Sequence, residues 1–215
     1  EEEIDKVVNQ FRPNIKKIIS QETNINFGAL AQPRALEMRN LPKVFKNHAV
    51  TEKADGERFA LYINKNGDVF RFGRGFSHPK KIGEGSKHPK TLLDSELVND
   101  KYNLFDIMIF EGKDLTQETL PERFKYLEKI KEYPIKKFYF PSKTNKIGKL
   151  AEKSYTNKYN YELDGLIYTP TNKPYVEQPF KWKPKELCTI DFLIKHKEHK
   201  GTNLTVELYI SMSRH

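Results

Sequence analysis

The stretch Thr51-Glu52-Lys53-Ala54-Asp55-Gly56-Glu57-Arg58, followed at once by Phe59-Ala60-Leu61-Tyr62-Ile63, decides how this chain is read. It brings a lysine, a small turn residue and an arginine together ahead of a strand-like run. An exposed lysine with a pKa of about 10.4 is almost wholly protonated at neutral pH and cannot attack an electrophile. Burial or neighbouring cations lower that value and make the amine a nucleophile. Gly56 permits close approach of backbone to a ligand, and Arg58 offers a planar fork. Asp-Gly is also a hairpin signal, so in isolation the segment reads as a surface β-turn. The rest of the chain weighs against that reading.

A chain of 215 residues makes one large domain or two small ones. Hydrophobic residues make up 37% and charged residues 31%, the balance of a soluble globular protein. No apolar run approaches the ~18 residues of a membrane span, so no membrane partner is expected. The opening Glu1-Glu2-Glu3 is unlike a signal peptide, and the non-Met start suggests a piece of something longer. The single cysteine, Cys188, excludes an internal disulfide and a cysteine metal cluster, and it fits a reducing, cytoplasmic compartment. The excess of 38 Lys and Arg over 29 Asp and Glu points to a polyanionic partner, nucleic acid or nucleotide phosphate.

Residues 1–20 carry helical spacing in Ile4, Val7, Val8 and Phe11, then Ile15, Ile18 and Ile19 beyond Pro13. Residues 21–50 read as irregular. Phe59–Ile63 and Val69–Phe72 flank a turn containing Asn66-Gly67 and form a hairpin. His78 and His88 sit in a turn-rich basic loop without companion ligands, as surface residues. Residues 91–98 and 102–110 look like buried strands, yet they contain Asp94, Glu96 and Asp106. A carboxylate there is costly unless paired or bound to a ligand or metal, so these acids mark a candidate site. A capping-box pattern, Thr119 and Glu122, opens a helix over 119–132. A strand over 136–140 and a helix over 147–158 follow. Asp164-Gly165 precedes another apolar strand, and in Lys181-Trp182-Lys183 the strand period sets both ammonium groups on one face. An anion between the lysines explains that pairing, and an edge strand protected by lysines is the alternative. Beyond Cys188 the alternation resumes for two or three strands.

In order, the chain thus presents Lys-x-Asp-Gly-x-Arg, Arg74, Asp94-Ser95-Glu96, Phe105-Asp106, Asp164-Gly165-Leu166-Ile167-Tyr168 and Lys181-Trp182-Lys183-Pro184. The series resembles the collinear motifs of the covalent nucleotidyltransferases, which include the mRNA capping guanylyltransferases and the DNA and RNA ligases. The fifth and last motifs, running through Asp164–Pro170 and Phe180–Pro184, together with Pro174-Tyr175-Val176 and the helix carrying Arg123, resemble the capping enzymes more than the ligases. The lysine-rich composition suggests a multifunctional capping enzyme of a large cytoplasmic DNA virus, with host cytoplasm or virion as its location.

The resemblance implies an α+β, ATP-grasp-like ligase/capping fold of antiparallel sheets flanked by helices. Residues 1–50 would be a helical lead-in, 51–187 the nucleotidyltransferase core, and 188–215 a hinge with the first strands of a truncated C-terminal region, the OB-fold being largely absent. Lys53 would attack the α-phosphate of GTP and leave a lysyl-N–GMP phosphoramidate. Arg58 and Glu96 would hold the ribose and nearby phosphate oxygens, with Arg74 beside them and Arg71 as the alternative. Phe105 would stack on guanine. Asp164 would coordinate or orient Mg or Mn, and Lys181 and Lys183 would neutralise the α-phosphate. Asp191 would be the last functional residue, in the hinge. GMP would pass to a 5′-diphosphate RNA end, in company with triphosphatase and methyltransferase domains of a longer enzyme. Ser95 stands where the family usually has glycine, so close backbone approach there is less secure. An adenylylating ATP-dependent DNA or RNA ligase domain and a non-catalytic nucleotide- or RNA-binding module are the alternatives.

Overall fold

The computed structural model describes residues 14–183, together with the backbone of strands 191–196 and 206–211. Helix α1 (Ile15–Thr23) starts at Asn14, whose side chain accepts from the Lys17 N–H, and buries Ile15 and Ile19. Then come β1 (Arg34–Ala35), a 3₁₀ turn (Met38–Asn40), α2 (Leu41–Val44) and β2 (His48–Ala54). After Asp55-Gly56 the chain forms β3 (Glu57–Ile63), β4 (Val69–Phe72), a 3₁₀ turn (Arg74–Phe76), β5 (Lys80–Gly83), β6 (Thr91–Val98), β7 (Lys101–Phe110) and β8 (Lys113–Asp114). Helices α3 (Leu120–Leu127) and α4 (Ile147–Thr156) precede β9 (Leu163–Pro170) and β10 (Phe180–Trp182), and an antiparallel pair, β11 (Asp191–His196) and β12 (Val206–Ser211), follows.

The strands sort into two principal sheets. The larger has the order β5-β4-β3-β6-β7-β8 and is antiparallel throughout. The smaller has the order β1-β10-β9-β2, antiparallel except for the β1–β10 pair. Residues of alternating strand faces explain the cores. One face of the larger sheet, with Ala60, Tyr62 and Leu92, packs against Ile15 and Ile19 of α1. Its other face, with Leu61, Leu93 and Ile107, packs against Leu127 and Ile130. The smaller sheet buries Val50, Leu166 and Phe180 against Ile147, Leu150 and Ala151 of α4. The mixed, mostly antiparallel α+β architecture is the one expected.

Asp55-Gly56 closes no hairpin, the side on which the rest of the chain weighs: β2 belongs to the smaller sheet and β3 to the larger, so the dipeptide carries the chain between sheets. Other local expectations are corrected. Residues 21–50 are not uniformly irregular, since they complete α1 and supply β1, α2 and the start of β2. No strand forms over 136–140. Instead Ile135 bridges to Leu104 of the larger sheet and Tyr139 to Val50 of the smaller, so the segment stitches two sheets and joins neither. The helix expected over 119–132 is shorter, and Thr119 makes no side-chain capping bond. The first part of the helix expected over 1–20 lies outside the described residues.

The acid inside β7 has a structural partner. Arg123 of α3 donates from Nε to Asp106 Oδ1 at 2.7 Å and from Nη2 to Oδ2 at 3.0 Å, and its Nη1 donates to the Glu118 carbonyl at 2.6 Å. Burial pushes the Asp106 carboxyl up, while Arg123 and the Ile107 N–H pull it back. Both side chains are buried, so removing one strands the other without water. Arg123→Met is expected to cost about 3–5 kcal/mol and to lower the melting temperature by roughly 10 °C, read by calorimetry against the unsubstituted protein.

Candidate active site

The groove between the two sheets is floored by the register of the smaller one. Thr51 and Lys53 of β2 lie opposite Ile167 and Gly165 of β9, and Lys181 of β10 lies opposite Ile167 on the other side. Paired residues share a face, so Thr51, Lys53, Ile167 and Lys181 belong to one surface, with Lys183 next in line. The pairing then slips: Lys53 faces Gly165, but Ala54 faces Leu163. Asp164 is therefore the extra residue of a β-bulge, a device that re-aims a side chain. Its Oδ2 lies 2.5 Å from Lys53 Nζ and 3.4 Å from Lys183 Nζ. Burial works against the Asp164 charge, but the two lysines outweigh it and hold the carboxyl below its usual range.

Gly165 makes this geometry possible. Its φ is 140°, and a Cβ there would lie 1.8 Å from the Trp182 carbonyl oxygen. Gly56 has a similar reason for being glycine, because a Cβ would lie 2.5 Å from Val98 Cγ2 and 2.6 Å from the Leu97 carbonyl oxygen. The end of β6 thus approaches the sheet-to-sheet crossing closely, with the Glu96 side chain 2.9 Å from where a Gly56 Cβ would lie.

The larger sheet supplies the opposite wall. Arg58 forms a bidentate pair with Asp94, Nε to Oδ1 at 2.9 Å and Nη2 to Oδ2 at 2.5 Å, while its Nη1 donates to the Ala31 carbonyl at 2.6 Å. Tyr175 Oη donates to Asp94 Oδ2 at 2.8 Å and accepts from the Ala31 N–H at 3.1 Å. Burial opposes the Arg58 charge, but Asp94 overrides it and secures the guanidinium. Burial pushes Glu96 up, and Lys136, Lys53, the Gly56 N–H and Arg58 draw it back. Phe105 is a second bulge residue, since Asp94 pairs with Asp106 and Ser95 with Leu104. Its ring lies 5.5 Å from both the Arg58 guanidinium carbon and Lys136 Nζ.

Lys53, Arg58, Glu96 and Phe105 line one cavity of about 250 Å³, close to the lower end, about 300 Å³, of small-molecule clefts. Asp164 and Lys183 join them through Lys53, and Lys181 shares the floor's face. Arg74 is not brought to this cavity. It is exposed on the 3₁₀ turn and lines a separate cleft with Arg71, because the residues after β4 turn away before β5. Asp191 begins β11, of which only the backbone is described.

Lys136, which the sequence places only in a strand over 136–140, is a further residue of the groove. It is buried in the groove, 3.7 Å from Glu52 Oε1 and 3.9 Å from Glu96 Oε2. Glu52 also accepts from Tyr161 Oη at 2.7 Å. The apolar neighbours of Lys136 at Ile135 and Phe138 were the available hint. Asp94 was noticed as an acid, but its service to Arg58 had no signal in one dimension. Among the described residues no three His, Cys, Asp or Glu side chains gather as a metal-binding group, and no helix is long and apolar enough to cross a membrane.

A strand lysine set at the floor of a groove between two antiparallel sheets, with an aromatic plate and fixed cations opposite, defines the nucleotidyltransferase class of fold. A mycobacterial DNA ligase D complexed with ATP and MES superposes with a TM-score of 0.52 over 72% of this chain and 60% of its own, at 14% identity. The sequence is more particular: the family described as mRNA capping enzyme, catalytic domain, matches residues 2–185, and the chain belongs to that family. It is 30% identical over 211 residues to the mRNA-capping enzyme subunit alpha of Schizosaccharomyces pombe, covering 77% of this chain and 52% of that protein. It is 29% identical over 214 residues to the mRNA-capping enzyme of Danio rerio, covering 81% of this chain and 35% of that protein. The chain spans about half or less of the length of these curated relatives.

The bulge supplies a test that leaves the charged groups in place. Gly165→Ala must move either Asp164 or the β10 backbone. Under the function proposed below, covalent labelling of Lys53 by nucleotide is expected to fall by about two orders of magnitude, the cost of misplacing a reacting group by roughly 1 Å. Circular dichroism checks that the sheets persist.

Proposed function

We propose that this domain is an mRNA guanylyltransferase, which takes GMP from GTP onto Lys53 and passes it to the 5′-diphosphate end of RNA. The observation that carries the reading is Lys53 lining one cavity with Phe105, Arg58 and Glu96, while its ammonium shares the Asp164 carboxylate with Lys183. In the first step the Lys53 Nζ lone pair attacks the α-phosphorus. This needs the Lys53 ammonium to have passed one proton to solvent; the N–P bond then forms, the P–O bond to pyrophosphate breaks, and Nζ sheds a second proton to solvent. In the second, a β-phosphate oxygen of the RNA attacks the same phosphorus. The N–P bond breaks, and its electron pair returns to Nζ, which regains a proton.

Before the first step Lys53 must exchange its ion pair with Asp164 for contact with phosphate. Lys183, on the same carboxylate, and Lys181 are the cations that would stabilise charge building on the α-phosphate. Arg58 and Glu96 would hold the ribose side, and Phe105 would present its face to the base. A divalent cation fits a site with one carboxylate, because Mg is commonly held by one or two carboxylates plus substrate phosphates. Asp164 would hold it, and the ion would supply neutralisation of phosphate charge.

Lys136 gives the site a means of choosing its base. An ammonium only donates, and guanine offers two neighbouring acceptors, O6 and N7, where adenine offers N7 beside an amino donor. Lys136, close to Phe105, would therefore favour guanine.

Incubation with GTP or ATP labelled at the α-phosphate, with Mg or Mn present, tests the reading. Label surviving denaturation is expected from GTP, as a GMP-sized mass gain on the peptide carrying Lys53, and is expected to vanish in Lys53→Ala and after chelation of divalent cations. Label from ATP but not GTP would move the domain to the ligases. Lys136→Ala is expected to reduce the preference for GTP over ATP by about tenfold or more, with the competition assay run on the same labelled adduct.

A further inference from the structure

A second cleft, of about 540 Å³, opens on the other side of Arg58. Its walls carry Arg58, Arg71, Arg74, His78 and Lys80 against one carboxylate, Glu57. Arg71 is built in rather than waving in solvent. Its Nη1 donates to Tyr102 Oη at 2.9 Å, and its guanidinium carbon lies 4.4 Å from the centre of the Phe59 ring. One of the five guanidinium N–H groups is spent on Tyr102, and the planar fork is held in a fixed orientation.

The loop between β4 and β5 is shaped to surround this cleft. Phe76 and His78 adopt φ of 60° and 52°, a region that L-residues avoid unless the surroundings enforce it. Phe76 is locked by stacking on Phe72 at 5.4 Å and by an edge contact with Phe27 at 5.8 Å. The Gly73 N–H donates to the Ser77 carbonyl at 3.0 Å and closes the turn. Anchored on Phe76, the loop leaves Arg74, His78 and Lys80 exposed around the cleft. Arg58 lines both this cleft and the Lys53 cavity, so the two adjoin at a shared guanidinium.

We propose that this cleft receives the 5′-terminal phosphates of the acceptor RNA, beside the cavity in which Lys53 carries GMP. The identity of the strand rests on the guanylyltransferase reading; the phosphate chemistry rests on the cleft alone. Guanidinium forks and an ammonium around a concavity recognise phosphate oxygens. The β- and γ-phosphates of GTP share that chemistry. The acceptor is favoured because Arg71, Arg74 and Lys80 do not line the Lys53 cavity, where Lys53 has Lys183 beside it and Lys181 on the same sheet face.

The test measures binding of a short single-stranded RNA with a 5′-diphosphate, and the same RNA with a 5′-hydroxyl, across a salt series. Lys80→Ala and Arg74→Ala are each expected to weaken the diphosphate RNA severalfold at low salt. Each is also expected to make the log–log salt slope shallower by about 0.7 for a lost phosphate contact. The hydroxyl RNA should bind more weakly and respond less, and Lys80→Ala should form lysyl-GMP at the unsubstituted rate. Equal responses of the two RNAs overturn the proposal. So does a raised KM for GTP in adduct formation with RNA affinity intact, which would hand the cleft to the triphosphate. Failure of the guanylyltransferase reading shows separately, as no GMP on Lys53 of the unsubstituted protein while the RNA binding remains measurable.

Discussion

The active groove depends on a single carboxylate oxygen shared by two ammonium groups. Asp164 Oδ2 sits 2.5 Å from Lys53 Nζ and 3.4 Å from Lys183 Nζ. Unit charges about 4 Å apart interact by about 4 kcal/mol at an effective dielectric constant of 20, a scale on which crowded lysines disrupt a strand pair unless an anion intervenes. The expectation from the motif was a lysine surrounded by cations; the nearest charged group is instead an acid. That acid lets Lys53 and Lys183 stand together before any nucleotide arrives, and it also keeps the Lys53 lone pair unavailable. On the proposed reading, an incoming phosphate would have to replace the carboxylate at Lys53 before it could be attacked.

Placing that oxygen required a defect in the sheet. A regular pleat sends neighbouring residues to opposite faces, so Asp164 in perfect register would turn away from the face that Gly165 shares with Lys53. The slip between Lys53 and Ala54 frees Asp164 from pairing, and only a glycine fits next to it beneath the Trp182 carbonyl. Phe105 on the facing sheet occupies the same kind of position. Beside it, Leu104 accepts from the Lys136 N–H at 2.7 Å and donates to the Pro134 carbonyl at 2.8 Å. The segment that stitches the sheets together thus also ties down the bulge and carries Lys136 inward. Two bulges and one crossing segment build the groove from strands that would otherwise form ordinary sheets.

These details explain what could be read in one dimension. Short apolar runs mark β3, β4, β6, β7 and β9, and Asn66-Gly67 marks the hairpin, because both signals are local. The motif order singled out Lys53, Arg58, Glu96, Phe105 and Asp164, which the fold then gathers or links around one cavity. Asp55-Gly56 was ambiguous because a tight turn looks the same whether its two strands pair or part. The run Ile135–Phe140 has strand composition, yet its ends hydrogen-bond to different sheets, and no local pattern reports that. The place of Lys136 in the groove goes unreported for the same reason. The pairings Arg58–Asp94 and Arg123–Asp106 join residues far apart in sequence, so only the fold reveals that two of the three strand acids are committed to arginines.

Burial divides the groove's charges into a fixed set and an exchangeable one. Asp94 is 0% exposed and grips Arg58 with both oxygens, so separating them would leave a carboxylate uncompensated inside the protein. Breaking such a pair costs several kcal/mol, and Arg58 therefore acts as a permanent wall to which a ligand adds. Lys53 and Asp164 keep 21% and 30% of their side-chain surface in contact with solvent. An ion pair of that kind contributes far less and can be traded for another charge at little cost. The lysine that the proposed reaction would have change partners is thus the one whose present partner is more exposed. The arginine required to stay still is held by a buried acid that a ligand cannot displace.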